Sequence, residues 1–60
     1  MSTTKPIRES LNWAQQSRDR WRVAYDRAVG TENRVDADFA SRQIVTLDRM
    51  IARYERFLAQ

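Results

Sequence analysis

Residues 28–37 read AVGTENRVDA and separate two long stretches in which apolar residues recur at helical spacing. Gly30, the only glycine in the chain, follows the first stretch as a C-terminal helix cap would. Thr31 or Asn33 can then cap the N-terminus of a second helix. Residues 28–37 therefore predict a tight turn between two helices.

The outer ends of these helices are marked less strongly. Pro6 falls near the start of the first helix, where its missing N–H does no harm, and Thr3 or Thr4 precedes it as a plausible cap. Together with the turn, these signals predict helices at about residues 5–29 and 33–59. The predicted fold class is all-α, an antiparallel two-helix hairpin.

Both helices carry apolar residues at alternating spacings of four and three, which is typical of helices packed along one seam. In an antiparallel hairpin, the numbers of facing residues add up to a constant, and in this chain seven layers share the sum of 65. Seven layers in one register predict helices zipped along their whole length. The seam pairs are Ile7 with Leu58, Leu11 with Tyr54, Ala14 with Ile51, Arg18 with Leu47, Trp21 with Ile44, Tyr25 with Ala40, and Ala28 with Ala37.

Arg18 is the one charged residue of the seam. Its long stem can pack on Leu47 while the guanidinium reaches water. Alternatively, the guanidinium pairs with a carboxylate, either Asp48 or one from a partner chain, and such a pair would fix the register more than it stabilises. The sequence leaves both interpretations open.

Composition bounds the stability of such a hairpin. Sixty residues form one domain at most, residues 1–60, of which 1–4 are expected to be a flexible N-terminus. The chain has neither cysteine nor histidine, so we expect no disulfide, no metal site and no cofactor. A two-helix core of this size is too small for comfortable stability. We therefore expect the hairpin to be completed by oligomerisation or by docking on a partner.

A second apolar surface lies beside the seam. At about 100° per residue, five apolar side chains fall on one side of the seam, and antiparallel geometry brings the corresponding sides of both helices to one face. Clustered large side chains on a small protein usually mark an interface, although Phe57 could instead widen the intramolecular core. We call this surface the flank face, and its predicted members are Trp13, Ala24, Phe39, Met50 and Phe57.

The opposite surface is polar and strongly basic. Arg42, Arg49 and Arg56 recur every seventh residue, with Arg53 beside them. This stripe could follow a nucleic-acid backbone or bind an acidic partner. A solvated helix face with ion pairs such as Asp38 to Arg42 is the commoner outcome.

Catalysis is not expected from these residues. The candidate nucleophiles Ser10, Ser17, Ser41 and Lys5 have no histidine to activate them and no glycine-rich turn to supply an oxyanion hole. The N-terminus has no apolar core of a signal peptide, and no apolar run approaches the roughly 20 residues of a membrane span. We therefore expect a non-enzymatic intracellular protein without a membrane role.

Three features in order carry a family resemblance: Trp13 and Trp21 in the first helix, the break at Gly30, and a final helix in which residues 47–58 read LDRMIARYERFL. Over residues 13–58 the chain resembles the small head-completion or head-to-tail joining proteins of tailed phages, of the lambda W type. Family members typically carry a β-hairpin between their helices, where this chain reads as helix.

The resemblance implies a virion component, arranged in a ring at the portal vertex or lining the capsid, that contacts portal, adaptor or coat protein through short helices. It implies no catalytic or ligand-binding residues. The leading hypothesis is thus a structural or interaction protein that uses the flank face, as a homo-oligomer or with other virion proteins. The alternatives are a small dimeric nucleic-acid-binding hairpin and a phage-encoded inhibitor of a host defence protein.

Overall fold

The computed structural model describes residues 4–60 and confirms the all-α hairpin. Helix α1 spans Lys5–Gly30 and α2 spans Arg34–Leu58, so each predicted boundary is correct to within one residue. The two helices pack antiparallel along their length into a rod of 49 × 14 × 12 Å. The prediction of a flexible N-terminus falls mainly on residues 1–3, which lie outside the described residues.

Helix α1 begins where its sequence predicts, although the Thr4 side chain makes no capping hydrogen bond. Thr4 occupies the N-cap position, and its carbonyl oxygen accepts a hydrogen bond from the Arg8 N–H at 2.9 Å. Pro6 sits in the first turn, where no intrahelical N–H donor is required.

The connection between the helices corrects the expected role of Gly30. The helix runs through Gly30, whose φ is not positive, and the left-handed residue is Glu32 with φ 59°. The Glu32 N–H donates to the Val29 carbonyl at 3.1 Å, and the Asn33 N–H donates to the Ala28 carbonyl at 2.8 Å. This double closure is a Schellman motif, and its position two residues beyond the glycine places a glutamate where glycine is normally favoured.

Thr31 and Asn33 cap different helices. The Thr31 hydroxyl donates to the carbonyls of Arg27 and Ala28, at 3.0 and 3.2 Å, and so closes the end of α1. The Asn33 side chain accepts from the Asp36 N–H at 3.1 Å and donates to the Asp36 carboxylate at 2.7 Å. Asn33 is therefore the N-cap of α2, while Thr31 serves the helix before it.

The centre of the seam forms the hydrophobic core. Ala14, Leu47 and Ile51 are buried together, and the partly buried side chains that pack against them are Leu11, Trp21, Met50 and Tyr54. Six of these seven residues are predicted seam residues. The seventh, Met50, was assigned to the flank face, and it forms a wall of the core as well.

Toward the turn the seam narrows to alanines. Ala28 and Ala40 are buried and Ala37 is half-buried. Tyr25, predicted within the seam, remains 38% exposed. Its facing residue is Ala40, whose methyl group is too small to cover a phenol ring, so the ring projects past the seam.

Arg18 combines features of both interpretations offered for it. Its guanidinium forms an ion pair with Asp48 at 3.0 Å, and its side chain is 23% exposed. The Arg18 Nε is buried and makes no hydrogen bond in the described structure. The stem thus lies in the seam beside buried Leu47, while the charged end reaches the rim and meets Asp48.

Candidate interaction surface

The hairpin exposes more surface than a compact chain of its size. Its accessible surface is 5114 Å², whereas a compact monomer of 7.1 kDa exposes about 4,100 Å². Fully exposed, residues 1–3 would account for at most about 500 Å² of the difference. Among the described residues, no large side chain is fully buried. The excess accessible surface therefore lies largely on the sides of the rod.

Three rings of the predicted flank face are among the exposed large hydrophobic side chains. Trp13 is 57% exposed, Phe39 is 54% exposed and Phe57 is 51% exposed. Ala24 is also exposed, whereas Met50 is half-buried against the core. All five residues of the predicted flank face therefore lie at or near the surface, and Met50 joins that surface to the core beneath it.

Trp21 belongs to the flank face as well as to the seam, and the sequence did not reveal this. Its ring meets the Phe39 ring edge to face, with centroids 5.4 Å apart and planes at 66°. The reason is local: Ala40, one turn from the Trp21 layer, fills little space, and the indole turns toward the ring beside that alanine. The run of alanines opposite large aromatics was the available signal for this lateral packing.

Shallow grooves lie between these rings. One, of about 300 Å³, is lined by Ser17, Arg20, Trp21 and Ala24. A second, of about 340 Å³, shares Trp21 and Ala24 and continues to Phe39 near the turn. A third, of about 430 Å³, lies at the other end of the rod and is lined by Pro6, Glu9, Ser10, Trp13 and Tyr54.

Part of the basic stripe borders the flank face, because Arg49 and Arg53 line a groove of about 200 Å³ together with Met50. Arg42, Arg49, Arg53 and Arg56 are all exposed. Across residues 4–60 the one ion pair joins Arg18 to Asp48, so the anticipated pairing of Asp38 with Arg42 does not form. The four guanidinium groups of the stripe are therefore available to solvent or to an anionic partner.

No three acidic side chains among residues 4–60 converge as a metal-binding group would require. Neither described helix is long and apolar enough to cross a membrane.

No family model matches the chain, and neither a curated protein nor a solved structure is significantly similar to it. What the protein does has to be inferred from its own surface.

Proposed function

We propose that this protein is a non-enzymatic interaction protein that binds other protein surfaces through its flank face. The observation that carries the proposal is the exposure of Trp13, Phe39 and Phe57, each more than half uncovered on one side of a rod that buries only small parts of its chain. Tryptophan and other large rings dominate binding energy where they become fully desolvated.

A helical partner suits this surface best. The flank face is formed by two antiparallel helices, and its grooves run between side chains three and four residues apart. Such grooves accept the ridges of other helices. Two further helices laid on the face would complete a four-helix bundle, in which each helix has neighbours on two sides.

The setting we propose is the virion of a tailed phage, with portal, adaptor, coat protein or further copies of this chain as the bound surface. The resemblance to head-completion and joining proteins supports this setting. The two helices of this hairpin connect through a short turn, so any virion contact would be made by helix surfaces.

A photo-crosslinking residue in place of Trp13 tests the proposal directly. Expressed in the native host, the variant should form a covalent adduct with a defined protein, identified by mass spectrometry. The matched control carries the same residue at Val23, which is 60% exposed and is not a member of the flank face. Adducts with a virion protein or another copy at position 13, and none at 23, support the proposal. Equal yields at both positions, or none at either, contradict it.

A second candidate function is nucleic-acid binding by the basic stripe. It is favoured by one observation: Arg42, Arg49 and Arg56 point outward from α2 without a carboxylate partner in the described structure. Over fourteen residues the stripe spans roughly 21 Å.

Salt dependence distinguishes a stripe that binds phosphates from one that is merely solvated. If three arginines contact duplex phosphates, log affinity should fall against log salt with a slope of roughly −2.7. Replacing Arg42, Arg49 and Arg56 with glutamine should abolish the binding, whereas replacing Arg8, Arg22 and Arg34 should not. The absence of a salt-dependent shift with either RNA or DNA would remove this candidate.

A further inference from the structure

The most exposed ring of the flank face and the groove best placed to receive a ring lie at opposite ends. Trp13 is in the half of α1 near the chain ends, and the groove beside Ala24 is in the half near the turn. Eleven residues separate them, which is roughly 16 Å along the helix. A face with a projection at one end and a hollow at the other is complementary to a copy of itself turned end to end.

We infer that a second copy of this chain covers the flank face, with the two hairpins packed face to face and pointing in opposite directions. The inference rests on the proposed function and names the partner of the same surface. A twofold axis crosses the middle of the rod, so that α1 packs on α1 and α2 packs on α2. Trp13 of each copy then enters the groove beside Ala24 of the other.

The spacing of the flank residues supports this register along α1. In two antiparallel copies of one helix, facing residues again have a constant sum, and placing Trp13 on Ala24 sets it at 37. The same sum places the small Ser17 on the long Arg20, and the small Ser10 on the long Arg27. All three large side chains therefore meet small ones.

The register of α2 follows without further choice. Because facing residues within the hairpin add up to 65, a sum of 37 between the two α1 helices requires 93 between the two α2 helices. That sum brings Phe39 of one copy onto half-buried Tyr54 of the other, and Met50 onto Gln43. Helix α2 thus adds an aromatic contact at each end of the interface.

Charge is complementary in the same arrangement. The groove near the chain ends is lined by Glu9, Ser10 and Trp13, and Arg27 of the second copy faces it. The Arg27 guanidinium would lie near the Glu9 carboxylate and over the indole of Trp13, and symmetry repeats both contacts. A rim arginine that finds a carboxylate and a ring mainly favours the correct register.

The excess surface of the hairpin is somewhat smaller than one side of a standard dimer interface. A specific interface buries roughly 800 Å² on each partner. After allowance for residues 1–3, this chain still exposes more than roughly 500 Å² beyond what is expected for its mass. Covering the flank face would remove that excess and give each hairpin the second layer that its small core lacks.

The opposite choice of axis loses the contact between Glu9 and Arg27. If the two rods pointed the same way, α1 of one copy would pack on α2 of the other, and Arg27 would no longer face Glu9. Ala24 would then lie beside Phe39 and Gln43 of the second copy, and Trp13 beside Met50 and Arg53. The two arrangements also bring different residues to the twofold axis, which makes them separable by experiment.

Single cysteines test the arrangement cleanly because the chain contains no cysteine of its own. Near the inferred axis, Thr46 of one copy faces Thr46 of the other, and its side chain is exposed. Thr46→Cys should therefore form a disulfide-linked dimer under mild oxidation. In the same arrangement Ser10→Cys places its two thiols roughly 25 Å apart along the rod, so its crosslinking should be at least roughly tenfold slower.

A second substitution checks that the crosslink reports the docked face. Adding Trp13→Ser to Thr46→Cys should weaken self-association by at least roughly 100-fold and remove the crosslink. Adding Val23→Ser should leave it intact. Faster crosslinking of Ser10→Cys, or equal rates for the two cysteines, would overturn the antiparallel arrangement. If position 13 crosslinks only to other proteins in the host, this inference fails while the proposed function stands.

Discussion

The seam and the flank face of this hairpin both contain apolar side chains, but the seam buries them and the flank face exposes them. The seam buries Ala14, Leu47 and Ile51 between the helices, whereas the flank face leaves Trp13 and Phe57 more than half exposed. The larger rings are thus on the outside and much of the interior is alanine. Small side chains let the helices approach closely along the seam. The exposed rings remain free to contact a partner.

This division means that folding and binding should respond to different substitutions. A change in the seam removes contacts that exist in every molecule, so it acts on the unfolding free energy directly. A change on the flank face removes contacts that exist only when the surface is covered. A flank residue on which folding of the monomer depends, or a seam residue on which it does not, would contradict this division.

The largest expected effect is at Leu47, which is 6% exposed and lies at the centre of the core. Leu47→Ala should cost about 2–5 kcal/mol, because it removes buried methyl groups and leaves a cavity. A hairpin with so small a core should then be largely unfolded at room temperature, as measured by far-ultraviolet circular dichroism.

Val45→Ala is the matched control for Leu47→Ala, because Val45 lies in the same helix and is 46% exposed. It should change the unfolding free energy by less than about 1 kcal/mol. Similar losses from both substitutions would mean that the seam is not the element that holds the hairpin together.

A smaller effect is expected at the turn, where the glycine and the left-handed residue occupy different positions. Glu32 has φ 59°, a conformation that costs a side-chain-bearing residue free energy. Nothing lies within 4 Å of a β-carbon added at Gly30. The double change Gly30→Ala and Glu32→Gly should raise the unfolding free energy by about 1–2 kcal/mol, as measured by urea denaturation.

The double variant stabilises the hairpin through its turn and changes no residue of the flank face. Self-association, measured by analytical ultracentrifugation, should be unchanged in the double variant. The reverse change, a proline at position 32, should destabilise the hairpin, since proline cannot adopt a positive φ. A loss of stability in the double variant would contradict the Schellman geometry of the turn.

The smallest expected effect is at the rim of the seam, in the Arg18–Asp48 ion pair. Both side chains are partly exposed, 23% and 47%, with a distance of 3.0 Å between Nη1 and Oδ1. Asp48→Asn should therefore cost less than about 1 kcal/mol, and added salt should reduce the difference. Asp26→Asn, at an exposed carboxylate, is the control. Arg18→Leu should keep or raise the melting temperature, because a leucine would fill the layer opposite Leu47 without a buried Nε.

The sequence contains nearly all of the fold because the fold is periodic. The layers that add up to 65 predicted both helices and the core residues, since each layer reinforces the same register. The details that escaped prediction depend on space around single residues. Tyr25 projects because Ala40 cannot cover it, and Trp21 turns toward Phe39 because the neighbouring layers are small.

The turn and the flank face escaped prediction for a different reason. Glycine at position 30 is the usual sign of a helix end, but the hydrogen bonds of Glu32 and Asn33 place the left-handed residue two positions later. The sequence alone does not show whether the left-handed residue is residue 30 or residue 32. The flank residues were identified by their periodicity. The partner that covers them depends on the three-dimensional shape of the folded surface, which the residue pattern does not give.

Thermal unfolding at several protein concentrations tests the central claim most directly, because only an associated flank face makes stability depend on concentration. The melting temperature of the wild-type chain should rise by roughly 4 °C for each tenfold increase in concentration. Val23→Ser should behave in the same way, and Trp13→Ser should melt at one temperature throughout. A wild-type melting temperature that stays constant over a roughly hundredfold range of concentration would contradict self-association through the flank face.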